Sequence, residues 1–277
     1  MFCLNFKSLR QTAFLSIMAA LIAISVLSAA TFAWFTYSND TNVTPISGTV
    51  SRGDGSLLIS ASPTGPFDVS CTLPYDSQGG TLYPVSTVNL SRFFLAAASH
   101  DGIVTSYRAA TDDNVLRQVL HGRVFLKSET VACDVYFWPE SLSVAADGQA
   151  LAALRIGLRF STVEGTHTYI FRLDEFGSTR DADAAQTIAA RNAVVSGIDA
   201  AGAPQYIQDP AETTAAYRAA VTADDVTPGE RRLCTLGAEE IGTVEYWLYL
   251  EGCDENCIRS VQGRDVALQL GFAGVNN

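Results

Sequence analysis

The stretch TVEYWLYLEG, residues 243–252, alternates without a break: Val244, Tyr246, Leu248 and Leu250 fall on one side, Glu245, Trp247, Tyr249 and Glu251 on the other. A period of two is the signature of a half-buried strand rather than a helix. ALRIGLRFS (153–161) repeats the pattern, with Leu154, Ile156, Leu158 and Phe160 opposite Arg155 and Arg159. RDVALQLGF (264–272) sets Val266, Leu268, Leu270 and Phe272 in line, and VACDVYFWPE (131–140) does so with Val131, Cys133, Val135 and Phe137. SGTVS, SLLISA, GRVFLKS and HTYIFRLD read as shorter strands, and RGDG, ADGQ, VEGT and VQGRD as turns. Strands with one apolar and one wet face belong to antiparallel sheets packed face to face, so the pattern predicts an all-β sandwich.

One region departs from it. Residues 177–230 are rich in Ala, Asp, Thr and Gly. DADAAQTIAARNAVVSG (181–197) and DPAETTAAYRAAV (209–221) read as short helices within an insertion, the second with Asp209 as N-cap ahead of Pro210.

The start of the chain is of another kind. MFCLNFKSLRQ carries Lys7 and Arg10, and from Ala13 to Phe35 no charge occurs. About 20 apolar residues span a bilayer, and the leading cations keep the N-terminus inside. SAATFA (28–33) ends in small residues suited to a signal peptidase, with Thr31 and Ala33 ahead of a cut before Trp34. The expected organisation is a leader over 1–33, cleaved or retained as an anchor, and an extracellular domain over 34–277. The chain is then secreted or displayed at the cell surface. No Cys follows the apolar core as a lipoprotein would require, and no Glu sits early in the run as in a type IV prepilin.

Composition bounds the function. Across 277 residues, 48% are hydrophobic and 17% charged, which is globular. The formal charge is −11, and the remainder beyond the leader is more acidic still, so a nucleic-acid footprint is excluded. Beyond the leader Lys127 is the only lysine, which limits lysine-based crosslinking to that position.

Five cysteines follow Cys3, in a compartment that permits disulfides. Cys133, on the apolar side of a strand, is expected to be buried and unpaired. Cys71, Cys234, Cys253 and Cys257 are then the candidates for two bridges, with three connectivities open. The C-x3-C spacing of Cys253 and Cys257 and the lack of a nearby His argue against zinc.

Few motifs carry chemistry. EGCDENC (251–257) clusters Glu251, Asp254, Glu255 and Asn256, oxygen ligands of the type calcium takes, although acidic turns are commonly just solvated. Arg52-Gly53-Asp54 is the tripeptide read by integrins and also suits a tight turn. Asn39, Asn42 and Asn89 open formal glycosylation sequons. His100, His121 and His167 are scattered, and no nucleophile elbow, HExxH or phosphate loop accompanies them. A secreted hydrolase therefore has no visible constellation, and no cofactor is implied. Trp138, Trp247 and Tyr249, set on open sheet faces, are the residues that would stack on sugar rings.

Two places carry a family resemblance. ALIAISVLSAATFAWFTYSNDTNV with ISGTV is similar to the leader and first strand of the TasA/camelysin-type secreted proteins of Gram-positive bacteria. VEYWLYLEGCDENC with GRDVALQLGF resembles the closing strands of a broad set of relatives, in which Trp-Leu-Glu-Gly, an Asp and a Cys precede an alternating last strand. Here Tyr249 stands in the tryptophan place and Cys253 is additional. The resemblance implies a jelly-roll-like sandwich, a leader processed by a SipW-type signal peptidase, and surface or matrix assembly. The peptidase activity described for camelysin-type members is not implied, because no metal-ligand set is present. Together these readings give a non-enzymatic surface or matrix protein whose partner is itself. The alternative is a tethered module that binds a glycan or host receptor.

Overall fold

The computed structural model describes residues 47–51, 57–75, 82–100, 103–137, 143–145, 148–173, 193–213, 232–254, 256–257 and 267–276. The leader with its cleavage residues Thr31, Ala33 and Trp34 lies outside them, as do Arg52, Gly53 and Asp54, Trp138 and Glu255. All described residues belong to one unit, Thr41–Asn277.

Strands dominate. β1 (Ser47–Ser51), β2 (Leu57–Ser60), β3 (Ser70–Thr72), β4 (Pro84–Thr87), β5 (Phe93–His100) and β6 (Ile103–Ala109) precede the short helix α1 (Asp112–Val115). β7 (Leu120–Ser128), β8 (Cys133–Phe137) and β9 (Ser143–Ala145) lead to α2 (Gly148–Ala153), then β10 (Leu154–Thr162) and β11 (Gly165–Arg172). β12 (Ala193–Ile198), β13 (Pro204–Gln208), β14 (Glu212–Thr213), β15 (Cys234–Leu236), β16 (Ile241–Glu251) and β17 (Ala267–Asn276) complete the chain.

The fold is all-β, as the alternation predicts, but the sheets are not purely antiparallel. One sheet runs β15-β8-β17-β1-β3, with β9 beside β17. The other runs β14-β11-β10-β16-β4-β5-β6, with β7 and then β2 beside β16. β12 and β13 form a separate hairpin. β1 lies parallel to β17, β4 to β16, and β14 to β11.

The main core draws on both large sheets. Val135, Phe137, Leu270 and Phe272 from the first meet Leu126, Ile156, Leu158, Phe160, Val244 and Leu248 from the second. Gly122 of β7 is required by a close approach there: a Cβ would collide with the Pro74 carbonyl and with the Tyr246 hydroxyl, which donates to that carbonyl.

Several expectations need correction. Residues 193–197, read as the end of a helix, are strand β12, whose Val194 and Val195 are buried. β-branched pairs favour the extended chain over the helix that the alanines around them favour. Asp209 does not open a helix within the described residues: Glu212 and Thr213 pair with Phe171 and Arg172 of β11. Gly148 and Gln149, read as a turn, begin α2. Val131 precedes β8 and is exposed, outside the apolar row expected for it.

Candidate functional site

The outward faces of β7, β16, β10 and β11 share one register, and its rows decide where chemistry can occur. One end of this face is covered. β4 pairs with β16 beyond β7, and β5 and β6 extend the sheet from it. The turn between β4 and β5 folds back over the sheet. Thr87 Oγ1 accepts from Leu90 N at 3.0 Å and donates to the Arg92 carbonyl at 2.7 Å. Leu90, at φ +56°, is held so that its side chain lies on Gly157, where a Cβ would overlap it.

Beneath this cover sits a polar cluster. Arg155 and Tyr249 are direct cross-strand partners, and Glu251 follows on the same side of β16. Arg155 is 1% exposed. Its Nη2 donates to Asp254 Oδ2 at 2.7 Å and to Asp209 Oδ2 at 3.2 Å, and its Nη1 to the carbonyls of Ala152 and Leu154. Burial opposes the guanidinium charge, but the Asp254 and Asp209 carboxylates outweigh it and hold the pKa above its ordinary value. Glu251 accepts from Cys253 N at 3.1 Å through Oε1, while Oε2 has no hydrogen-bond partner among the described residues. Burial, then the Asp209 charge, pushes its carboxyl up to about 8.

The same turn carries two of the cysteines. Cys253 Sγ donates to Tyr107 Oη at 3.3 Å and approaches Ser86 Oγ at 3.7 Å. Burial and then the Glu251 charge raise the Cys253 thiol well above its ordinary pKa, and burial and then Asp254 do so for Cys257. Nucleophiles need a thiolate and access, and neither is provided here. All five cysteines of the domain, Cys71, Cys133, Cys234, Cys253 and Cys257, are free thiols in the structure.

The other end of the face is open. One row crosses four strands as Arg123, Glu245, Arg159 and Thr168; the next is Phe125, Thr243, Ser161 and Thr166. Glu245 bridges the two arginines, at 2.9 Å to Arg123 and 3.3 Å to Arg159. Arg159 also lies over the Trp247 ring at 4.8 Å and donates to the Leu90 carbonyl at 2.6 Å and to Ser91 Oγ at 2.9 Å. Beside it opens a cleft of about 400 Å³, lined by Asn89, Ser91, Thr168, Ile170 and Pro210 among others. The cleft runs along β11. On its outer edge Phe171 and Arg172 pair with β14, and among the described residues no strand pairs with Gly165–Thr168 there.

These positions revise the sequence reading of the site. EGCDENC is not a solvated acidic turn: Glu251 is wholly buried, Asp254 is committed to Arg155, and Asn256 N donates to Asp254 Oδ1 at 2.8 Å. Among the described residues no group of three or more His, Cys, Asp or Glu is placed to hold a metal ion. Trp247 and Tyr249 are not open platforms; Trp247 is packed between Arg159 and His121, and Tyr249 is buried. Arg155, expected on a wet face, is the most enclosed cation among the described residues. The Arg123–Glu245–Arg159 row was missed, although the alternation of β7, β10 and β16 already put all three on outward faces. Among the described residues no helix is long and apolar enough to cross a membrane. Comparison with known proteins finds no matching family model, no similar curated protein and no similar solved structure.

Proposed function

We propose that this chain is an exported, non-enzymatic surface or matrix protein whose β-sandwich domain works by self-association through a sheet edge. The leader motif supports export: a cationic start, an uncharged apolar run and small residues before Trp34. The sandwich reading rests on the core shared by the two large sheets.

The observation that carries the function is the outer edge of β11. Along Gly165–Thr168 it presents backbone donors and acceptors without a neighbouring strand among the described residues. Such an edge is a template for a strand from another chain, with main-chain hydrogen bonds supplying affinity. A segment freed at Trp34, rich in Trp34, Phe35 and Tyr37, is the strand best suited to a second copy's edge.

Proline placed singly at Thr166 and at His167 tests this. Successive residues turn their N–H groups to opposite sides, so one substitution blocks the outer edge and the other disrupts pairing with β10. The outward one is expected to leave thermal stability nearly intact and abolish association measured by light scattering. Unchanged association in that variant refutes the reading.

A further inference from the structure

We infer that the open row Arg123–Glu245–Arg159–Thr168, with the adjoining cleft, binds a polysaccharide bearing carboxylate groups, that is, a uronate-containing glycan. The row crosses three strand spacings, about 14 Å, which is the scale of an extended saccharide rather than of a single ion. Its charge is opposite to that of the protein. On a chain of −11, Arg123 and Arg159 share a single carboxylate, and Lys127 lies four residues from Arg123 along β7 on the same face.

The two arginines play different parts. Arg159 is fixed by Trp247, the Leu90 carbonyl and Ser91, so its guanidinium is already placed before a ligand arrives. Arg123 is half exposed and is held by Glu245 at 2.9 Å. A planar fork of N–H donors matches a carboxylate in two-point fashion, and Glu245 gives only one oxygen to each arginine, so it fills neither fork. A ligand carboxylate competes with Glu245 for Arg123 and leaves Arg159 in place.

The neighbours suit the rest of a sugar. Ser161, Thr166, Thr168, Asn89 and Ser91 offer exposed hydroxyl and amide groups, and half-buried Phe125 offers an apolar surface in the next row. Nucleic acid is disfavoured because phosphate density requires a broad basic field that this acidic chain lacks. A polyol phosphate shares the negative charge but not the planar two-oxygen shape, so the experiment separates them.

The test is affinity electrophoresis of the full-length protein through gels containing polygalacturonate, a polyol-phosphate polymer, or neutral dextran. Retardation by polygalacturonate alone is expected. Arg123→Ala should weaken it about tenfold, the size of one charge-assisted hydrogen-bonded pair. Glu245→Gln should strengthen it by releasing Arg123. Arg108→Ala, which removes an equal charge from β6, should change nothing. Arg123 takes part in an exposed pair whose loss costs at most about 1 kcal/mol, so its variant remains folded for the comparison. No retardation, equal retardation by dextran, equal retardation by the polyol phosphate, or indifference to Arg123→Ala each overturns the inference. The result is independent of edge pairing by β11, since Arg123 lies on β7.

Discussion

Arg155 Nη2 and Asp254 Oδ2 meet at 2.7 Å with each side chain 3% exposed or less, so the guanidinium of β10 locks the turn that follows β16. Arg155 also holds Asp209 at 3.2 Å, so removing the guanidinium strands two buried carboxylates, which costs about 3–5 kcal/mol. Arg155→Met should therefore lower the urea midpoint strongly. The triple variant Arg155→Met, Asp254→Leu, Asp209→Asn should be less destabilised than Arg155→Met alone, because neither carboxylate is left uncompensated. A triple variant worse than the single one would contradict this account of the cluster.

Glu251 makes stability depend on pH in an unusual direction. Its carboxyl lies at about 8 in the folded chain against an ordinary 4.5, so the folded state holds the proton more tightly than the unfolded one. The associated stability is complete below 4.5 and is lost as pH rises from there through 8, by up to about 1.4 kcal/mol per pH unit. Glu251→Gln, neutral throughout, should flatten that decline. Denaturation midpoints measured from pH 5 to 8 decide it, and parallel curves for parent and variant would contradict the assignment.

Leu90 sits in the left-handed region and fills the space above Gly157. Gly157→Ala should push Leu90 away and loosen the cover over Trp247 and Tyr249, at about 1–3 kcal/mol. Leu90→Gly in the same chain should recover part of the loss, because it removes the collision and suits the backbone. Thermal melts of the three variants check this; additive losses would argue that the two positions are uncoupled.

Thiol reactivity should be ordered by burial. Cys71, half-buried on β3 with its thiol pushed up to about 11 by burial, is the most accessible of the five. Cys133, Cys234, Cys253 and Cys257 are buried, and burial raises each thiol. Alkylation of the native protein followed by peptide mass mapping should label Cys71 first and the others only on unfolding. Early labelling of Cys253 would contradict the closed turn.

The strands of the shared core were legible because each carries one alternate row that is apolar and buried: Leu120, Val124 and Leu126 in β7, Leu154, Ile156, Leu158 and Phe160 in β10, and Val244, Tyr246, Leu248 and Leu250 in β16. The sequence does not reveal that half of the opposite side is also covered. β4, β5 and the Leu90 turn reach over β16 from more than 150 residues away, which turns Trp247, Tyr249 and Glu251 from wet to buried. A cross-chain cover leaves no period in the strand it covers. The same holds for the site. Arg123, Glu245 and Arg159 are each ordinary outward residues, and only the register of three strands brings them into one row. The β12–β13 hairpin was hidden by its alanine-rich surroundings, whose helix preference competes with Val194 and Val195.

Edge pairing by β11 is tested most directly by hydrogen exchange at residue resolution on the full-length protein, compared between dilute and concentrated solution. The account predicts that amides within Gly165–Thr168 gain protection on association, in alternation along the strand, because only the outward N–H groups acquire new partners. Protection confined to other edges, with Gly165–Thr168 unchanged, would contradict it.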